Sequence, residues 1–462
     1  MTELSVAGRV VELVRRLAGP TAEAEVGAFH NAEALTRFAN SAIHQNVAEA
    51  TTTVRLRLHL DGRTAGGSTT LTGAAGLESL VERTIAAARL SPPNVVWPGL
   101  TPPTPLHAAA VEFDEATARA TPEERAIRVR DFVAAAGGLE TAGFCRTIYF
   151  SGAFANTAGQ SVEGRAAEAA MDGIARLSGA DGVARRSGGR LSDLDGAVLG
   201  ARAAAKARAG GQPIELPPGR YEVVLEPDAV ADLLSNLATF GFNGKAYAQR
   251  QSFAGLGAQQ FDSAVTIVDE ALGSADQPPP WLPFDLEGTP RRTLDLVRDG
   301  TTVAVTHDRT SAAEAGAVST GHGTPGSRTW GPIAGHLRLA AGEPVSVDTA
   351  AGPTVPSARP LVANVERGLL VTDFWYTRVL DQKSLVITGL TRNGVWLIED
   401  GEVAAAVSNM RFTQSYPQAL GPGAVRGIGG ESVLLPDRWS GVRYAAPALH
   451  LASWNLTGNA SG

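Results

Sequence analysis

The stretch Tyr221-Glu222-Val223-Val224-Leu225-Glu226-Pro227-Asp228-Ala229-Val230-Ala231-Asp232-Leu233-Leu234-Ser235-Asn236-Leu237-Ala238-Thr239-Phe240-Gly241 divides the chain into two kinds of pattern. Tyr221 to Leu225 is a short apolar run of strand type. Pro227 to Phe240 has helical spacing and is closed by Gly241. Val230, Leu233, Leu234 and Leu237 share one face of that helix, Ser235 and Thr239 fall on the opposite face, and Asn236 lies at one edge. Small polar groups on the second face of a buried helix suit the wall of a cleft. The periodicity suits a plainly solvated face equally well.

Upstream of this stretch, helices and strands mix. Met1 to Arg16 reads as an amphipathic helix, too interrupted by charge for a signal peptide. Three strand-like stretches follow: 23–29, 34–39 and Thr51 to Leu60, the last alternating Val54, Leu56, Leu58 and Leu60 with Thr53, Arg55, Arg57 and His59. Asp61-Gly62 supplies a hairpin turn, and a helix over 75–90 can cover the apolar face. A Pro-rich connector, Ser91 to Pro105, comes next. Thr121-Pro122-Glu123-Glu124 opens a helix with a capping box. Two strand runs lie near 147–156 and 161–178, and a helix spans Asp193 to Ala209. Cys145 sits in strand-like sequence and reads as a small buried hydrophobe.

Downstream of Gly241, helical signal nearly disappears. Short apolar runs alternate with Gly and Pro, and Asp299-Gly300 and Asp400-Gly401 mark hairpins. Ser274 to Pro283, Gly323 to Gly331 and the Gly-rich 421–430 read as loops, the last a flexible one. The expectation is an α+β chain: an N-terminal α/β sandwich-like domain over 1–215, then a β-rich, barrel-like domain over 216–462.

With 462 residues, 44% of them hydrophobic, a large core is available. A net charge of −7 without a dense Lys/Arg run argues against nucleic acid as partner. Lys206, Lys245 and Lys383 are the only lysines. One cysteine excludes internal disulfides and multi-cysteine zinc sites. No apolar run is long enough to span a membrane, and the simplest location is the cytoplasm. None of the eight histidines is followed by Glu, and no two stand four or five apart, so no local zincin motif exists. His307, Asp308, His322 and His336 remain as a dispersed set, more simply read as loop residues that face solvent or hydrogen-bond to backbone.

Several segments, in order, resemble the TldD/TldE (PmbA) family: 35–46, 221–227, 318–321, 368–373, the hairpin 393–402 and 446–449. The resemblance implies bacterial and archaeal proteins that pair as an unlike dimer, with the same two-part architecture. In the catalytic TldD type, a His-Glu-X-X-X-His motif on the helix after the strand binds zinc with a further ligand near the C-terminus. Here Ser235 stands at the first His, Asn236 at the Glu and Phe240 at the second His. The expectation is therefore a TldE-type subunit with no catalytic residue, metal or cofactor of its own. It would complete the substrate channel of a TldD-type partner that carries zinc. Family substrates are peptides or small N-acyl and amide compounds, as in proteolysis and antibiotic biosynthesis. A stand-alone ligand-binding homodimer is the alternative. An independent hydrolase built on the scattered histidines is a third reading. Channel or interface candidates are Arg37, Asn40, Ser41, His44, Gln45, Thr239, Trp375, Tyr376 and Arg378. Core packing is the simpler reading of Trp375 and its neighbours, and a structural signature that of the N-terminal group.

Overall fold

The computed structural model describes residues 2–94, 96–344, 353–437 and 442–460. Met1, at the head of the expected first helix, lies outside them. The N-terminal half is one antiparallel sheet with a layer of helices. In chain order its elements are α1 (Glu3–Ala18), β1 (Glu23–Ala39), β2 (Ala42–Leu60), β3 (Arg63–Thr69), α2 (Ala74–Leu90), α3 (Glu115–Ala118), α4 (Pro122–Ala135), β4 (Glu140–Asn156), β5 (Ser161–Leu177), β6 (Ala180–Gly188) and α5 (Gly196–Ala209). The strand order is β3-β2-β1-β4-β5-β6.

Strand alternation decides which face is covered. Ala24, Val26 and Ala28 on β1 stand opposite Leu58, Leu56 and Val54 on β2, and together they bury the apolar stripes of α1 and α2. Phe38, Cys145 and Met171 lie on that same face further along and pack under α4 and α5. The four long helices thus form a single layer. The opposite face carries Phe29, Phe154 and Val162, which pack on Leu282 and Phe284 of the C-terminal half. The expected strands 23–29 and 34–39 are one 17-residue strand. Its ladder continues through His30 to Glu33 because β2 and β4 pair with it on both sides, whatever its side chains prefer.

The C-terminal half contains β7 (Gly219–Leu225), α6 (Pro227–Asn236), α7 (Gly244–Ala248), β8 (Ile267–Asp269), β9 (Leu294–Arg298), β10 (Thr301–Thr302), α8 (Arg309–Ala315), α9 (Ser327–Trp330), β11 (Leu337–Leu339), α10 (Arg359–Val362), β12 (Arg367–Asp381), β13 (Val386–Glu399), β14 (Glu402–Ala406), β15 (Met410–Ser415), α11 (Tyr416–Ala419), β16 (Val425–Ile428), β17 (Val433–Pro436), β18 (Arg443–Ala446) and β19 (Leu449–Asn459). Strands β12-β7-β19-β15-β13 run side by side, and β12 also pairs with β13, so these five close into a barrel. Closure removes the exposed edges an open sheet would have. A second sheet, β10-β9-β8-β11-β18-β17, shares its core. The Asp-Gly turns adopt positive φ at both residues: Asp61 and Gly62, Asp299 and Gly300, Asp400 and Gly401. Two loop expectations need correction. The Gly-rich 421–430 contains β16, held to β19, and 323–331 contains the short helix α9.

Candidate functional site: a cleft behind the strand-helix unit

β7 is a barrel strand, and its chain turns at Glu226-Pro227 straight into α6. Pro227 suits the first helical turn, where no N–H partner is needed. Val230, Leu233, Leu234 and Leu237 sink into the shared core. The regular helix ends at Asn236, earlier than the spacing predicts. From Leu237 to Gly241 it widens into a π turn, with the Phe242 N–H donating to the Leu237 carbonyl at 2.9 Å. Such widened turns concentrate at functional sites.

The second face of the helix borders a cleft of about 400 Å³. Ser235, Asn236, Thr239 and Phe240 form one wall, and Trp375, Tyr376 and Arg378 another. Asp228 and Asp232 of α6, Arg185 of β6, and Asp437 and Tyr444 complete it. Seven of the residues singled out from the sequence therefore meet in one place.

Arg185 reaches from the N-terminal sheet into this cleft. Its Nε donates to Asp172 at 2.8 Å, and its Nη1 to Asp228 and Asp373, each at 3.0 Å. Burial alone would lower the guanidinium pKa, but these three carboxylates hold it well above its ordinary value. Burial raises the Asp228 carboxyl, and Arg185 only partly offsets this. Asp232 accepts hydrogen bonds from Thr377 Oγ1 at 2.9 Å, the Tyr416 hydroxyl at 3.2 Å and the Asn236 amide. Burial pushes the Tyr444 phenol up, and Ser235 only partly offsets this.

The far wall is a bulge in β12. Pairing with β13 slips between Trp375 and Arg378, and Tyr376 takes φ 52°, a left-handed backbone that a bulky aromatic rarely adopts. The bulge turns Thr377 toward Asp232 and leaves Tyr376 62% exposed at the cleft mouth. Arg378 lies over the Tyr376 ring and Arg392 over the Trp375 ring.

The N-terminal candidates lie elsewhere. Asn40 and Ser41 form the β1–β2 turn, both with positive φ. The Ser41 hydroxyl donates to the Leu139 carbonyl at 3.2 Å. Arg37, His44 and Gln45 are exposed on the same hairpin. None of the five lines the cleft.

The dispersed histidines are buried rather than solvent-facing, and two of the three are hydrogen-bonded to side chains, whereas His336 Nδ1 has no hydrogen-bond partner among the described residues. His322 Nε2 meets Asp269 at 2.9 Å and its Nδ1 meets Thr320 at 2.8 Å, while His307 Nδ1 meets Ser311 at 3.2 Å. Burial brings the His336 imidazole down to about 3. Among the described residues, no three His, Cys, Asp or Glu side chains gather as a metal-ligand set. Zinc takes about four N, O or S ligands. A hydroxyl, an amide and a phenyl ring on α6 do not fit it.

Arg185, Asp228, Asp232, Asp437 and Tyr444 were absent from the sequence-based candidates. Arg185 stands more than forty residues before α6 and only the packing of two sheets brings it there. Asp228 and Asp232 had a usable signal, since they precede Ser235 and Asn236 by helical spacing.

An α+β layer joined to a closed barrel, with a strand-helix unit beside a cleft, defines a two-part α+β architecture. The family profile described as "PmbA/TldA metallopeptidase C-terminal domain" matches residues 218–458. The chain belongs to the PmbA/TldD family. Solved structures share the fold over nearly the whole length. TldE from Thermococcus kodakarensis is 17% identical, with a TM-score of 0.84 over 98% of this chain and 100% of that one. A proposed modulator of a DNA gyrase from Thermotoga maritima is 18% identical, with a TM-score of 0.81 over 99% and 100%. A second proposed gyrase modulator, from Bacteroides thetaiotaomicron, is 18% identical with a TM-score of 0.79 over 98% of each chain. No curated protein sequence matches the chain. Among the described residues, no helix is long and apolar enough to cross a membrane.

Proposed function

We propose that this chain is the metal-free, TldE-type subunit of an unlike pair. Its partner is a cytoplasmic TldD-type protein with a His-Glu-X-X-X-His helix, and the pair hydrolyses peptide or small-molecule amide bonds. The observation that carries this reading is the trio Ser235, Asn236 and Phe240 on α6. Each stands where the resemblance expects a ligand or a base, and each borders a cleft large enough for a substrate group. The cleft retains polar groups that hold and orient a ligand: the hydroxyls of Ser235, Thr239 and Tyr444 and the amide of Asn236. Trp375, Tyr376 and Arg378 are of the types enriched at binding surfaces. Zinc in the partner would supply the activated water, and this chain's residues would bind and orient the substrate.

Co-expression with the His-Glu-X-X-X-His homologue of the same genome tests the reading. The expected result is a stable complex, with zinc bound only when the partner is present and amide hydrolysis only by the pair. Failure to associate, or stoichiometric zinc on this chain purified alone, overturns it.

A further inference from the structure

Far from the cleft, the two halves meet through a knot of buried charge. Glu25 of β1 is 4% exposed and forms ion pairs with Arg57 of β2, at 3.4 Å, and with Arg309 at the start of α8. Glu287, in the segment after Leu282, accepts from Arg57 at 3.0 Å and lies 3.3 Å from Arg309 Nε. It also accepts the Arg309 backbone N–H at 2.8 Å. Asp308 caps α8 beside it, and Asp285 accepts the Gly323 N–H at 2.7 Å. Arg309 further donates to the Gly99 carbonyl, which ties down the Pro-rich connector. On the same side Trp97 stacks on His59 at 4.5 Å, donates to Glu23 at 2.7 Å and lies under Arg57.

The charges do not balance. Four buried carboxylates (Glu25, Asp285, Glu287 and Asp308) face Arg57, Arg309 and Arg291, and Arg291 is shared with the buried Asp269. An uncompensated charge is costly at such a place, and a carboxylate avoids the cost by keeping its proton.

We propose that this knot is a proton-held clasp that couples the seating of the N-terminal sheet on the C-terminal half to pH. It is closed when Glu25 and Asp285 retain their protons and loosens when both ionise. Burial, against the pull of Arg309 and Arg57, raises Glu25 to about 8. Burial and then Glu287 raise Asp285 to about 7. Both are raised above their unfolded values, so the folded state binds extra protons. Their stabilising contribution is complete below about pH 4 and is lost as pH rises through about 7 to 8. The groups that face Glu25 from the packed elements are Arg57, Glu23 and His59 on β1 and β2, Asp285, Glu287 and Arg291 in the crossing segment, and Asp308 and Arg309 on α8.

The test is hydrogen exchange of the full chain between pH 6 and 9, corrected for the intrinsic rate and read on residues 96–104 and 281–289. The expected result is a tenfold or greater loss of protection with a midpoint between 7 and 8.5, while the barrel strands stay protected. Glu25→Gln keeps the shape of the side chain without its titration, so its profile should flatten. Should that variant fail to fold, Asp285→Asn is read in its place. Flat wild-type protection across the range overturns the proposal, as does an unchanged midpoint in the substituted chain.

Discussion

Lys206 and Glu226 show what a single residue can decide here. The Lys206 ammonium donates to Glu226 at 2.6 Å, both are fully buried, and Glu226 also accepts the Val355 N–H at 2.8 Å. Removing one partner leaves a bare charge in the interior. Lys206→Met should cost about 3–5 kcal/mol, measured by urea denaturation. Adding Glu226→Gln should recover most of that loss, since the amide still accepts from Val355. Cys145 gives a second prediction. Burial pushes its thiol up to about 12, so a thiol reagent at pH 8 should label it only after denaturant is added. At this scale the sequence was informative wherever a residue's neighbours in sequence are its neighbours in space. The strand flanks of Cys145 announced its burial. Nothing beside Arg185 announced its three carboxylates, because they come from three other elements.

The bulge of β12 is the element whose geometry matters most to the cleft. A non-glycine residue at φ 52° costs on the order of 1 kcal/mol, which the surrounding pairing must offset. Tyr376→Gly should therefore stabilise the chain by about 1 kcal/mol in a denaturant melt, and Tyr376→Ala should not. If the aromatic ring meets substrate, the glycine variant of the reconstituted pair should raise KM while leaving kcat near its former value. Elements with a strict period were legible: α2 and α4, and the Asp-Gly turns. The single long β1, the slip at Tyr376 and the π turn after Asn236 were not. Each follows from pairing or packing with distant strands, which local alternation does not record.

For the whole molecule, the division into a mixed N-terminal half and a β-rich C-terminal half was readable from the change in pattern at Tyr221. The barrel-like form expected there is a closed five-stranded barrel, although the order of its strands was not readable, since it depends on β12 returning to β7 across some 140 residues of sequence. Nor was the way the halves dock. Leu282, 1% exposed, packs in one cluster with Phe29 and Phe154 at that seam. Leu282→Ala should cost about 2–5 kcal/mol by denaturant melt. Its loss of exchange protection should concentrate in the connector and in 281–289, and the barrel should be spared.

The fate of the three lysines bears on how the molecule can be handled. Lys206 is sealed in its ion pair, and Lys245 Nζ is held by the carbonyls of Arg328 and Thr329, at 2.7 and 2.8 Å. Lys383 alone stands exposed, in the turn that joins β12 to β13 beyond the cleft. An amine-directed dye or cross-linker should therefore couple its side-chain adduct almost wholly at that turn. The native chain thus offers a nearly single-site reporter for whatever approaches the β12–β13 turn, with no engineered residue required.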